Sequence, residues 1–163
     1  MIIIIRSNDI FSDPRVMKYV KFLQEEKQPY TLIGWDRDGK LNETDKINAF
    51  FLKRRAGYNV GGWKAVINRI YWMFYVLKIL YRLRACNAVL HGCDLDSAFP
   101  AAVYKRFCGK KAQLIFDVFD WFSATLYNQR MYILFAFKRM EKYAIKHADK
   151  VIICESERIE QIP

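Results

Sequence analysis

The chain has 163 residues, 53% of them apolar and 27% charged, which excludes a disordered polymer and suits one domain with its own core. Lys and Arg number 27 against 17 acids, a formal charge of +10, so an anionic partner is expected unless the charge only solvates the surface. The four cysteines form no C-x-x-C pair, which argues against a zinc site or a disulfide framework and for a reducing cytoplasm.

Met1 leads straight into Ile2-Ile3-Ile4-Ile5, a β-branched run without the basic region of a signal peptide, and predicts a central strand buried on both faces. The loop Arg6 to Asp13 follows. Asp13 is a good N-cap and Pro14 suits the first helical position, so a helix carrying Val16, Tyr19, Val20 and Leu23 on one face is expected to run to Lys27-Gln28-Pro29. Tyr30 to Gly34 predicts a second strand and completes a βαβ unit with parallel strands. Trp35 to Lys46 is polar, with turn chemistry at Asp38-Gly39, and a third strand is expected at Ile47–Leu52. Basic Lys53-Arg54-Arg55 and Gly57, Gly61 and Gly62 then mark a loop.

Trp63 to Ala85 contains no Gly or Pro and predicts a long helix that is apolar nearly all round. Such a helix is either deeply buried or leans on a bilayer; in the second case Arg69, Trp72, Tyr75, Lys78 and Arg82 would form a membrane-surface face. No stretch offers the roughly 18 consecutive apolar residues of a membrane span.

A short strand is expected at Asn87–His91, then a helix from about Ser97 to Phe107 with Asp96 as its cap and Gly109 beyond its end. Gln113 to Val118 predicts another buried strand, Gln129 to His147 a basic, aromatic helix, and Lys150 to Cys154 a last strand. A further helix begins at Glu155 and stops after barely a turn at Pro163, so the chain is expected to be interrupted there. The alternation predicts a Rossmann-like three-layer α/β/α domain over residues 1–163 with a mainly parallel sheet.

Two strand ends carry acids: Asp94 and Asp96 after one, Asp117 and Asp120 after the next. Ligands in such folds bind outside the carboxyl ends of the strands, where paired carboxylates can act as bases or accept hydrogen bonds from sugar hydroxyls. Asp96 also fits a plain helix cap, and Asp117 a carboxylate satisfied by backbone N–H groups. Asp120, between Phe119 and Trp121, is harder to explain as packing. His91 is either a catalyst or a satisfied structural residue. Neither G-x-G-x-x-G after the first strand nor G-x-x-x-x-G-K-[ST] occurs, and no Cys/His cluster argues for a metal.

Ser12-Asp13-Pro14-Arg15-Val16, His91-Gly92-Cys93-Asp94-Leu95-Asp96, Phe116-Asp117-Val118-Phe119-Asp120-Trp121 and Ala148-Asp149-Lys150-Val151-Ile152 with Ser156-Glu157-Arg158 follow one another along the chain. In this order they resemble the N-terminal domain of family 4 glycosyltransferases of the GT-B fold, of the bacterial surface-polysaccharide kind. The resemblance implies an acceptor-binding half that meets a C-terminal, donor-binding domain absent from these residues. The nucleotide-sugar donor would sit on that absent domain, with no cofactor bound by this one and no metal required. Transfer would be to a glycan or lipid-linked acceptor at the inner face of the cytoplasmic membrane. The resemblance places acceptor-binding residues at Ser7, Asn8, Arg15, Asp94, Asp96, Asp117 and Trp121. The family often has His where this chain has Phe119, which leaves a catalytic role to Asp120 or His91. Two other readings stay open: a non-catalytic truncated relative that binds a membrane or a partner protein, and a nucleic-acid binder. The last is disfavoured because Lys and Arg are spread along the chain.

Overall fold

The structure is a computed structural model that describes residues 1–39, 48–56, 63–120 and 131–153, with Met131 and Tyr132 placed as helical backbone only. In chain order the elements are β1 (Ile2–Arg6), α1 (Pro14–Glu25), β2 (Tyr30–Asp36), β3 (Ala49–Lys53), α2 (Trp63–Arg82), β4 (Val89–Cys93), α3 (Leu95–Phe107), β5 (Gln113–Val118), α4 (Met131–His147) and β6 (Lys150–Ile153). The six strands form one sheet in the order β3-β2-β1-β4-β5-β6, and every pairing is parallel. This is the Rossmann-like order, and its direction reverses between β1 and β4.

Residues of β1 point alternately to the two faces, and both faces are covered. Ile3 and Ile5 pack with Trp72, Val76, Ile79 and Leu80 of α2 and with Ala101 and Tyr104 of α3. Ile4 packs on the other side with Val16, Val20 and Leu23 of α1. All three isoleucines are fully buried, each contributing about 1.5–3 kcal/mol of apolar transfer free energy. A third cluster, Leu95, Ala98, Phe116, Val118, Phe137 and Ala144, joins α3 and α4 to β5. Helices α2, α3 and α4 thus line one face of the sheet and α1 the other.

Asp13 caps α1, its Oδ1 accepting from the backbone N–H of Arg15 (3.1 Å) and Val16 (3.3 Å), with Pro14 in the first turn. β4 lies two residues later than the expected 87–91, which carries Gly92 and Cys93 into the strand. Gly92 is needed there: a Cβ would lie 2.6 Å from Ala98 Cα, so only glycine lets α3 approach this closely. The N-cap of α3 is Asp94, whose side chain caps nothing, while Asp96 lies within the first turn; this corrects the expected cap. The third strand is Ala49–Lys53, and Ile47, where it was expected to begin, lies outside the described residues.

The membrane-facing assignment of α2 also needs correction. Trp72 is fully buried and stacked on Trp35, with ring centroids 5.9 Å apart. Tyr75 is half-buried against the same core, and burial pushes its hydroxyl up to about 12. Trp63, Tyr71, Phe74 and Tyr81 are the exposed aromatics of this helix instead, each more than half accessible. Lys78 and Arg82 are exposed, as a surface role requires. No helix among the described residues is long and apolar enough to cross a membrane.

Candidate functional site

At the reversal between β1 and β4, the carboxyl ends of the two strands bring together residues 88 positions apart in sequence. Arg6 ends β1, and its Nη1 donates to Asp94 Oδ2 just beyond β4. Arg6 Nε donates to Asp13 Oδ2 at 2.9 Å, so one guanidinium ties β1, β4 and the start of α1. Burial works against the Arg6 charge, but Asp94 and Asp13 outweigh it and hold its pKa above the usual value. Burial pushes the Asp94 carboxyl the other way, upward, against the pull of Arg6. We read the pair as ionised, because Asp94 Oδ1 also accepts from the backbone N–H of Phe119 (2.9 Å) and Asp120 (3.0 Å).

Asp94 has φ +67° and ψ 168°, a conformation natural to glycine, and such a residue persists only when its surroundings hold it there. Its own N–H donates to Asp117 O at 2.9 Å, and its carboxylate takes three further donors. Asp94 is therefore a staple for three strand ends, and little of its carboxylate remains for a ligand.

A pocket of about 140 Å³ opens beside this staple. Ser7 and Asn8 from the β1–α1 loop and Asp94, Asp96 and Asp120 line it, five residues that the sequence had marked. Asp120 is exposed at its edge. Asp96 is almost fully buried: its Oδ2 lies 3.4 Å from Arg69 Nη1, and its Oδ1 has no hydrogen-bond partner. A buried acceptor without a donor on a pocket wall is suited to a ligand hydroxyl. Arg6, Arg37 and Arg69 supply the guanidinium groups of the pocket. Arg69, expected on a membrane face, lines this pocket beside Asp96. Arg6 and Arg37 were missed, although each stands at or just after the carboxyl end of a strand, the position from which such folds bind ligands.

His91, Asp117 and Arg15 form a separate network on the α1 side of the sheet. Asp117 Oδ2 accepts from Tyr19 OH at 2.7 Å and lies 3.2 Å from His91 Nε2; Asp117 Oδ1 is 3.9 Å from Arg15 Nη1. The Tyr19 ring covers His91 at a centroid distance of 4.7 Å, and burial raises the Tyr19 hydroxyl pKa, with Asp117 adding to the shift. His91 does not line the pocket and is only 7% exposed, which speaks for a structural partner of Asp117 over a catalyst. Cys93 adds its thiol to this core, and burial pushes that thiol well up, as does Asp117. His91, Cys93 and Asp117 each offer a ligand atom within 4.8 Å of the others, the one metal-type grouping among the described residues. Asp117 is already engaged there by Tyr19.

Phe119 bridges the network and the pocket. Its ring meets the guanidinium groups of both Arg6 and Arg15, whose central carbons are 4.5 and 4.0 Å from the ring centroid. Trp121 lies outside the described residues.

Compared with known proteins, the chain matches no family model, and no curated protein matches it significantly.

Proposed function

We propose that this chain is the acceptor-binding half of a glycosyltransferase that moves a sugar from a nucleotide-sugar to a glycan or lipid-linked acceptor in surface-polysaccharide synthesis. The observation that carries the reading is the meeting of three separated motifs at one sheet edge. Asp13 and Arg15 of the first, Asp94 and Asp96 of the second, and Asp117, Phe119 and Asp120 of the third all lie around the β1–β4 reversal. The pocket there combines guanidinium groups, an exposed carboxylate and a buried acceptor without a donor, a set suited to a polyhydroxylated ligand. Asp120 is the candidate base and Asp96 the candidate hydroxyl acceptor. The donor would be held by a second domain facing this edge.

The test is transfer of radiolabelled sugar when the chain is combined with a donor-binding domain. Activity that depends on both parts and is lost in Asp120→Ala supports the reading; full activity in that variant removes Asp120 from the chemistry. A non-catalytic relative is the second reading. It is favoured by Phe119, an apolar ring in cation–π contact with Arg6 and Arg15 where the resemblance leads one to expect an imidazole. Acceptor binding without transfer in the combined system would decide for it.

A further inference from the structure

Helices α2 and α3 pack against each other, and a cysteine follows each: Cys86 lies in the turn after α2, and Cys108 is the C-cap of α3. The Cys86 Sγ is 3.6 Å from the carbonyl oxygen of Cys108, so the first thiol rests against the backbone that bears the second, 22 positions away in sequence. The Cys108 Sγ is 2.6 Å from Tyr81 OH and the Cys86 Sγ 3.7 Å from Tyr104 OH. The two phenol rings meet edge to face, with centroids 5.4 Å apart. Two thiols and two phenols thus form one cluster, toward the opposite end of both helices from Arg69 and Asp96 of the pocket.

Access and charge separate this pair from Cys93. Cys86 is exposed and Cys108 partly so, whereas Cys93 is fully buried and burial pushes its thiol well up. Every charged residue within five positions of Cys86 or Cys108 is a cation: Arg82 and Arg84 beside the first, Lys105, Arg106, Lys110 and Lys111 beside the second. Neighbouring cations favour the thiolate, which is the nucleophile of sulfur chemistry. A hydroxyl that donates to sulfur, as Tyr81 can at 2.6 Å, favours it too.

We infer that Cys86 and Cys108 are a redox-active thiol pair that closes to a disulfide with hydrogen peroxide and reopens with a dithiol. The Cys86 thiolate, the more exposed, attacks one peroxide oxygen, breaks the O–O bond and becomes a sulfenic acid as hydroxide leaves. The Cys108 thiolate, turned from Tyr81 by a change of χ1 rotamer, then attacks the Cys86 sulfur and expels a second hydroxide. The hydroxides take up the protons released by the two thiols. Two thiols have then lost two electrons in all, and one peroxide has become two waters. The bridge ties the end of α2 to the end of α3, restricts the unfolded chain and so stabilises the fold. In a reducing compartment such a bridge is a reversible sensor and not a permanent staple. The inference stands apart from the acceptor-binding reading.

Hydrogen peroxide is the probe. The 163-residue chain is exposed to a small molar excess, free thiols are alkylated, and the unreduced protein is digested and analysed by mass spectrometry. The expected result is an intact mass lower by two hydrogens and one cross-linked pair of peptides holding Cys86 and Cys108, with Cys93 alkylated only after denaturation. The melting temperature should rise by at least about 4 °C and fall back with dithiothreitol. Cys86→Ser and Cys108→Ser, at positions that solvent reaches, should each keep the circular dichroism of the parent and lose both the cross-link and the rise. Cys154→Ser should keep both. The inference is overturned by thiols that stay free, by a bridge through Cys93 or Cys154, or by linkage between molecules. Oxidation that stops at sulfenic or sulfinic acid, or a cross-link that leaves the melting temperature unchanged, overturns it as well.

Discussion

Arg6, the last residue of β1, is ion-paired with Asp94, the first residue beyond β4, across the point where the strand order reverses. The pair is mostly buried, its side chains 11% and 8% exposed, so removing one partner strands the other away from water. Asp94→Ala is therefore expected to cost about 3–5 kcal/mol, the usual penalty for breaking a buried pair. Asp94→Gly loses the same carboxylate but relieves the positive φ, and should unfold later than Asp94→Ala by about 1–3 kcal/mol. Urea titrations of the two variants check this. Equal midpoints at equal m-values would remove backbone strain from the account.

Acid should weaken a second tie. Burial disfavours the Asp149 carboxylate, but hydrogen bonds from Lys105 Nζ (2.5 Å) and the Leu114 N–H (2.6 Å) outweigh it and hold its pKa below the usual value. A depressed folded-state pKa means stabilisation that is complete above the unfolded value, about 3.9, and lost as pH falls toward the folded one. Asp149→Asn should then melt below the parent chain by a constant interval from pH 7 to 5, and the interval should close on acidification below about pH 4. Asp149 is partly exposed, so the interval is small. Thermal melts across that range measure it, and an interval that widens in acid would contradict the assignment.

The regular alternation of apolar runs and turn residues made the sheet order's ingredients legible: Ile2–Ile5 reads as a strand buried on both faces, and Asp13-Pro14 marks the start of α1. Helix phase was legible only where a polar face exists. In α2 apolar residues surround the axis, so nothing in the pattern told Trp72, which is buried, from Trp63, which is exposed. β4 was displaced because Gly92 and Cys93 read as a loop; the need for a glycine comes from Ala98 of another element. The acids at the strand ends were found, since carboxylates in a loop after a buried run stand out. Their division of labour was not, because whether Asp94 faces a guanidinium or a ligand depends on the loop across the sheet.

The two tryptophans give a direct test of the α2 correction. Trp72→Ala should cost about 3–5 kcal/mol, as large-to-small changes in a core do, and alter vesicle binding only through unfolding. Trp63→Ser, at a residue 68% exposed, should leave stability within about 0.5 kcal/mol. If the exposed aromatics touch a bilayer, Trp63→Ser with Phe74→Ser should reduce sedimentation with anionic liposomes. Denaturation and sedimentation of the same preparations separate the two effects; a stable Trp72→Ala would place that ring outside the core.

Tyr19 and His91 test whether the network under α1 is scaffold or chemistry. Tyr19→Phe removes the hydroxyl that donates to Asp117 Oδ2 and leaves a carboxylate of no measurable exposure short of a donor, at about 1–3 kcal/mol. Asp117→Asn in the same background removes the buried charge, so the double variant should lose less than the sum of the two single changes. A double-mutant cycle by urea denaturation reads that coupling. His91→Gln should also lower stability, yet keep transfer in an assembled enzyme at temperatures where the variant is folded, while Asp120→Ala loses it. Loss of transfer in a fully folded His91→Gln would move the chemistry from the pocket rim to the histidine beneath α1.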